Sequence, residues 1–64
     1  MSKEELLELI KALTDSDSAK QNPYIKLSKT NWDTLGRPLQ IFGREVIPIP
    51  GFPDERIYIT STSD

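Results

Sequence analysis

Leucine and isoleucine recur at a helical spacing near the start of the chain, between residues 3 and 13. The repeat has the i, i+4, i+7 spacing of one helix face and is formed by Leu6, Ile10 and Leu13. Ser2 and Glu5 stand three residues apart at its start, which is the spacing of a capping box. We therefore predict an amphipathic helix over residues 3–13, whose apolar stripe needs a surface to pack on.

Short apolar runs in the rest of the chain have the spacing of β-strands rather than helices. Four of them are predicted as strands: Tyr24–Ser28, Leu39–Phe42, Glu45–Ile49 and Arg56–Thr60. Gly43 and Arg44 separate the middle two, and a two-residue loop with glycine first is typical of a type II′ hairpin turn. Pro48 and Pro50 each lack a backbone N–H, which predicts that the later part of the third run lies at a sheet edge.

Three remaining segments are polar and lack periodicity. They are predicted as a linker or flexible loop over Thr14–Asn22, a polar turn over Lys29–Thr34 that carries the only tryptophan, and a polar tail over Ser61–Asp64. With these boundaries the chain is a single small domain whose β-rich part spans residues 23–60. The predicted fold class is α+β, with one N-terminal helix packed on a small, mostly antiparallel sheet of three or four strands.

The composition removes several function classes. The 64 residues include no cysteine and no histidine, so Ser–His and Cys–His catalysis and the usual zinc sites are excluded. We therefore predict no enzyme activity, no catalytic residue and no cofactor. A chain this short buries only about 60% of its unfolded surface. Without disulfides or a structural metal, the expected routes to stability are close packing, assembly with other copies or membership of something larger.

Carboxylates and glycines offer only weak candidates for ligand binding. Asp15 and Asp17 resemble half of a calcium loop, but the central glycine and the closing glutamate of such a loop are missing. Gly36 and Gly43 are separated by six residues, a spacing that fits neither common phosphate-binding motif. We predict a solvated linker for the aspartates, turn positions for the glycines, and no metal site.

The charge pattern disfavours nucleic acid and membrane as partners. The net charge is −2, and no run of basic residues occurs. No apolar run approaches the roughly 20 residues of a membrane span, and the N-terminus lacks the features of a signal peptide. Basic and aromatic side chains could line one sheet face as in single-strand binders, although nearby acids offset them. The set is Lys26, Lys29, Arg37, Arg44 and Arg56 with Tyr24, Trp32 and Tyr58.

Two aromatic residues in predicted loops are candidates for contact with a partner. Trp32 lies in the polar turn, and Phe52 lies in the proline-rich loop. Large aromatic residues in loops either complete the core or anchor an interface. We expect at least one of the two to pack into the core. The apolar stripe of the helix likewise packs either on the sheet of this chain or on a neighbouring molecule.

The segment from Leu39 to Thr60 is similar to part of the major capsid proteins of tailed bacteriophages. In that family a strand and a glycine turn lead into G-x-x-V/I-x-P-x-P-x-x-P, followed by polar residues and an aliphatic strand. The matching residues are Gly43, Val46, Ile47, Pro48, Pro50, Phe52, Pro53, Ile57 and Thr60. The resemblance implies the axial domain of such a subunit, whose loops gather around the centre of the capsomer. The spine helix and extended arm of a complete subunit have no counterpart among these residues.

The resemblance and the composition together favour a non-enzymatic structural or assembly module that acts through protein–protein contacts. Its expected partners are other copies of itself or neighbouring capsid subunits, and its expected location is the virion or the host cytoplasm. Proline-fixed loops lose little conformational entropy on binding, and the predicted interaction residues are Trp32, Pro48, Pro50, Phe52, Pro53 and Asp54. The alternative is a small phage-type regulatory or inhibitory protein that binds a host protein, followed by a single-stranded nucleic-acid binder.

Overall fold

The structure, a computed structural model, describes residues 2–62 as two helices and a four-stranded sheet. In chain order the elements are α1 (Lys3–Ser16), β1 (Tyr24–Ser28), α2 (Lys29–Thr34), β2 (Gln40–Ile41), β3 (Arg44–Ile49) and β4 (Tyr58–Thr60). The predicted α+β class is confirmed, because an N-terminal helix accompanies a mixed, mostly antiparallel sheet. The fourth predicted strand begins two residues later than expected, at Tyr58. Of the predicted polar tail, Ser61 and Thr62 are exposed, and the other two residues lie outside the described part of the chain.

Helix α1 begins at the predicted cap and ends three residues beyond the predicted end. The Ser2 hydroxyl accepts a hydrogen bond from the Glu5 backbone N–H at 3.2 Å, and the Glu5 side chain accepts the Ser2 N–H at 3.4 Å. The predicted linker over residues 14–22 was therefore wrong in its first three residues. Thr14 is buried within the helix, where its hydroxyl donates to the carbonyl of Lys11 at 3.0 Å. That local hydrogen bond supplies the hydroxyl with a partner, so the polar Thr14 can lie on the buried face of the helix.

The sheet has the strand order β2-β3-β1-β4, so the two longest strands lie at its centre. Strands β1 and β3 are parallel, whereas β1–β4 and β2–β3 are antiparallel. A parallel pair needs a crossover connection, which residues 29–43 supply. On one side, residues 45–49 of β3 pair with β1. On the other side, β2 pairs only with residues 44 and 45, so the later part of β3 lies at an edge there.

The placement of Pro48 follows from the alternation of backbone groups along β3. Glu45 N donates to the Pro23 carbonyl at 3.0 Å on the β1 side, and Val46 N donates to the Leu39 carbonyl at 3.0 Å on the β2 side. The Pro48 nitrogen therefore faces the β2 side, three residues beyond the last β2–β3 pair, which is at Glu45. No described strand lies there, so the absence of an N–H at Pro48 removes no hydrogen bond from the sheet.

The β2–β3 hairpin turns one residue earlier than predicted. Its loop is Phe42–Gly43 rather than Gly43–Arg44, and both loop residues have positive φ, 52° and 78°. Two positive φ angles are typical of a type I′ turn instead of type II′. Because side chains alternate between sheet faces, the one-residue shift places Arg44 in β3 with its side chain on the core side. Arg44 is only 4% exposed.

Residues 29–34, predicted as a polar turn, form helix α2. The Ser28 hydroxyl accepts the Asn31 backbone N–H at 3.0 Å, so the last residue of β1 is also the N-cap of α2. Ser28 is buried, which means that the strand enters the helix without an intervening loop. The prediction failed because five polar residues and one tryptophan show no apolar repeat, and because the capping serine matches the pattern of the preceding strand.

The hydrophobic core occupies one face of the sheet. Strands β1 and β3 direct Ile25, Leu27 and Val46 towards it, and α1 covers them with Leu6 and Ile10, which are fully buried. The predicted helix stripe thus packs on the sheet of its own chain. The full set of buried apolar residues is Leu6, Ile10, Ile25, Leu27, Leu35, Ile41, Val46 and Ile57.

Candidate interaction surface

The sheet face opposite the core carries a row of aromatic and aliphatic side chains. Its members follow from the strand register, because residues that pair across strands point to the same face. Tyr24 pairs with Thr60 and with Glu45, and Lys26 pairs with Tyr58. We call this surface the outer face, and the register places on it Tyr24, Lys26, Ser28, Gln40, Glu45, Ile47, Ile49, Tyr58 and Thr60.

The outer face is more apolar than a solvent-facing sheet surface needs to be. Ile47 and Ile49 are half-buried, and Tyr58 at 46% is among the most exposed large apolar residues of residues 2–62. Antiparallel and mixed sheets that face water on one side usually alternate apolar and polar residues. Here β3 is apolar on both faces between Val46 and Ile49. A sheet face of this composition is typical of an interaction surface.

Phe52 extends the outer face beyond the strands. Its ring meets the ring of Tyr58 edge-to-face, with 5.4 Å between centroids and an interplanar angle of 86°. The Tyr58 hydroxyl accepts a hydrogen bond from Arg56 Nη1 at 2.9 Å. Edge-to-face pairs of this kind stabilise their arrangement by about 0.5–1.5 kcal/mol. The two rings therefore form a fixed aromatic feature at the β4 end of the face.

The proline-rich loop between β3 and β4 is held to the domain at several points. The Asp54 carbonyl accepts a hydrogen bond from Asn31 Nδ2 at 2.7 Å, and Asn31 is itself buried. Within the loop, Phe52 N donates to the Ile49 carbonyl at 3.2 Å and Arg56 N donates to the Pro53 carbonyl at 3.1 Å. These bonds and the fixed φ of the prolines give the loop one shape before any partner arrives.

The predicted interaction residues of the loop differ in accessibility. Pro50, Pro53 and Asp54 are exposed, and Phe52 is half-buried against Tyr58. Pro48 pairs with Leu27 in the sheet, so its ring lies on the core side rather than on the outer face.

Trp32 is placed to support the fold. Its ring packs against the core, and its Nε1 donates to the Pro38 carbonyl at 3.0 Å. The guanidinium of Arg37 lies 5.8 Å from the ring centroid, and Arg37 also pairs with Asp33 at 2.7 Å. Trp32, predicted as an interaction residue, is half-buried, and its neighbour Asn31 bonds the Asp54 carbonyl of the proline-rich loop.

Only part of the predicted basic and aromatic set comes together. Arg56 and Lys26 lie beside Tyr58, and Tyr24 and the carboxylate of Glu45 are on the same face. Arg44 is buried on the opposite side of the sheet. The remaining members are Lys29, the exposed first residue of α2, with Arg37 and Trp32 near the end of that helix.

Asp17, considered above as a weak calcium ligand, has a structural partner instead. Its Oδ2 accepts the Asn22 N–H at 2.9 Å and a hydrogen bond from Arg44 Nη2 at 3.3 Å. The Asn22 bond is the main cause that lowers the pKa of Asp17, with smaller contributions from Arg44 and Gln21 and an opposing one from burial. Within residues 2–62 no three His, Cys, Asp or Glu side chains are close enough to share a metal ion.

An open cleft of about 320 Å³ lies beside this pair, between the end of α1 and the hairpin tip. Lys11, Lys20 and Phe42 are among the residues that line it. Asp17 and Arg44, which also line the cleft, form an ion pair with each other. Neither side chain is therefore left without a charged partner to bind a ligand.

Sequence reasoning missed the outer face as a surface, although two signals were present. The alternation of Ile25 and Leu27 already placed Tyr24 and Lys26 on the opposite side of β1. The continuous apolar run from Val46 to Ile49 is typical of a strand with neighbours on both faces, rather than of an edge strand.

Comparison with known proteins found no matching family model, no matching curated protein and no matching solved structure. Neither helix of the described residues has the length and apolar character that crossing a bilayer requires.

Proposed function

We propose that this chain is a non-enzymatic structural module that works through protein–protein contacts, with other copies of itself or with neighbouring capsid subunits. The contact surface is the outer face together with the exposed part of the loop, Pro50–Asp54. The corresponding location is the virion or the host cytoplasm. The resemblance of residues 39–60 to a capsid axial domain supports the proposal, because the same segment contributes most of this surface.

The observation that carries the proposal is the apolar outer face opposite the core. Ile47, Ile49 and Tyr58 stand on the side of the sheet that faces away from α1. Burial of such side chains is worth about 25 cal/mol for each Å² removed from water. In a 64-residue chain the core is small, so burial of the outer face by a partner adds a larger fraction of the total buried apolar area than it would in a large domain.

The anchored loop adds a second reason to expect binding. A loop that is already ordered by Asn31 and by its prolines loses little conformational entropy when a partner covers it. The exposed Pro50 and Pro53 therefore form a rigid border beside the outer face.

Sedimentation velocity from a few micromolar upward tests the proposal. We expect the size of the wild-type protein to rise with concentration. The variant Ile47→Lys places a charge in the outer face and should weaken self-association about tenfold or more. Ala12→Lys is the matched control, because Ala12 is exposed on α1, away from the surface.

A wild-type protein that stays monomeric at the highest concentration contradicts self-assembly. A pull-down from host extract then tests the alternative, a regulatory protein that binds a host protein. If Ile47→Lys abolishes the capture, the outer face is the binding site for that host protein.

A further inference from the structure

We propose that two copies of this chain join through their β4 strands, which pair antiparallel about a two-fold axis at Ile59 and extend the sheet from four strands to eight. The inference rests on the proposed function, because it names the contact by which the module assembles. It is carried by the direction of the backbone groups in β4, by the residues along that edge and by the prolines at the opposite edge.

The backbone groups of Ile59 point away from the sheet. Glu45 N donates to the Pro23 carbonyl, so odd-numbered residues of β1 direct their N–H and C=O groups towards β3. Tyr24 and Lys26 then direct theirs towards β4, where they pair with Thr60 and Tyr58. Ile59, between those two residues, presents its N–H and C=O at the outer edge.

This edge is complementary to itself. In an antiparallel pair centred on Ile59, the residue meets Ile59 of the second copy, and each donates its N–H to the carbonyl of the other. Tyr58 then lies opposite Thr60 of the second copy on the outer face. The two-fold axis stands perpendicular to the sheet, so the two outer faces join into one surface and the two α1 helices lie on the same side. Such an interface is isologous and closes at two chains.

The residues along the β4 edge lack the features that protect other sheet edges. Residues 57–61 read Ile-Tyr-Ile-Thr-Ser, with no charge and no proline. Natural edge strands are usually blunted by charged side chains, prolines or bulges. The nearest charge is Arg56, which falls opposite Thr62 of the second copy, so pairing over residues 56–62 brings no like charges together.

The opposite edge of the sheet is short and poor in backbone donors. The N–H of Val46 is used by the Leu39 carbonyl, and the next two positions with the same direction are Pro48 and Pro50, which have no N–H. Pro38 lies two residues before β2. Growth of the sheet from that side has few donors, because the two-residue β2 offers the Gln40 N–H and the prolines offer none, and a head-to-tail arrangement would need both edges. Of the sheet edges in the described chain, the β4 edge is thus the better suited to continue the sheet.

The experiment removes one backbone donor and keeps every side chain. A 64-residue chain is accessible to chemical synthesis, so an N-methyl group is introduced at Ile59, whose N–H is not used by β1. The control is an N-methyl group at Gln40, whose N–H points outward at the opposite edge because Leu39 and Ile41 pair with β3. Circular dichroism confirms the fold of each product, and sedimentation equilibrium measures association.

We expect the wild type and the Gln40 product to form dimers, and the Ile59 product to dissociate about tenfold or more readily, since each dimer loses two hydrogen bonds. Dimers that persist in the Ile59 product overturn the strand pairing while leaving the proposed function intact. A monomeric wild type overturns both. Loss of association in the Gln40 product alone places the contact at the β2 edge and also overturns the inference.

Discussion

Arg44 Nη2 donates hydrogen bonds to the Asp17 carbonyl oxygen at 2.8 Å and to Asp17 Oδ2 at 3.3 Å. Asp17 is the C-cap of α1, and Arg44 is the first residue of β3. The same guanidinium donates from Nε to the Asn22 carbonyl at 3.1 Å. One buried side chain therefore ties the end of the helix, the following turn and the hairpin together.

Replacement of Arg44 by methionine should lower the free energy of unfolding by about 3 kcal/mol. The substitution keeps the apolar stem but removes three hydrogen bonds, and it leaves the Asp17 carboxylate without its charged partner. Urea unfolding followed by circular dichroism measures the change. Arg37→Met is the matched control, because Arg37 is exposed and its pairing with Asp33 and Trp32 is worth about 1 kcal/mol or less. Equal losses in the two variants would show that Arg44 has no special role.

Asp17 should make stability depend on pH in the acidic range. Its pKa is lowered in the folded protein, chiefly by the Asn22 N–H, so the ionised form stabilises the fold above the unfolded pKa of about 3.9. This contribution is lost as the pH falls through the lower, folded pKa. The stability gap between wild type and Asp17→Asn should therefore be largest near neutral pH and close on acidification.

Urea titrations of both proteins between neutral and strongly acidic pH measure that gap. Asp15→Asn is the control, since Asp15 is exposed and makes none of the hydrogen bonds of Asp17. A gap that stays constant as the pH falls would contradict the proposed role of the carboxylate.

The hairpin turn contains a position where phenylalanine is unfavourable. Phe42 has a φ of 52° and is 48% exposed, so it gains little burial in return for a left-handed backbone. Asn-Gly is the preferred sequence of a type I′ turn, and Phe42→Asn should raise the free energy of unfolding by about 0.5–1 kcal/mol. Phe42→Val should lower it by about 1 kcal/mol, because β-branched residues resist positive φ. Thermal or urea unfolding of both variants checks the opposite signs, and a loss in both would mean that the ring itself supports the fold.

Asn31 should control the order of the proline-rich loop. Its Nδ2 donates to the Asp54 carbonyl at 2.7 Å, and replacement by alanine removes that bond at a cost of about 1–2 kcal/mol. Amide hydrogen exchange should become faster in residues 51–56 than in β1 of the same variant. Thr30→Ala, an exposed change in the same helix, is the control. Under the proposed function, Asn31→Ala also weakens self-association, and unchanged exchange in the loop would refute the anchoring.

Helix α1 and the strands could be predicted because their signals are local. Ser2 and Glu5 cap the helix with their own side chains, and Leu6 and Ile10 mark its buried face. The turn of the hairpin could not be placed in the same way. Gly43 suits the first position of a type II′ loop and the second of a type I′ loop equally well. The choice depends on whether residue 44 can be buried, and its partners at Asp17 and Asn22 are more than twenty residues away.

The proposed contact surface could be predicted from the sequence only for the loop. Proline and glycine fix Pro50–Asp54 locally, so its exposure followed from composition. The outer face depends on the pairing of β1 with β3, which brings Lys26 beside Ile47 across a parallel register. Parallel order cannot be read from strand runs alone when the connection between them also contains a short strand and an unrecognised helix.

The central position of β1 also determines when the protein can fold during its synthesis. Both neighbours of β1 come later in the chain, β3 at Arg44–Ile49 and β4 at Tyr58–Thr60. A growing chain that has exposed only α1 and β1 to solvent therefore has no sheet to cover and no partner for its apolar stripe. The sheet that α1 covers can therefore form only after the chain up to about residue 60 has left the ribosome.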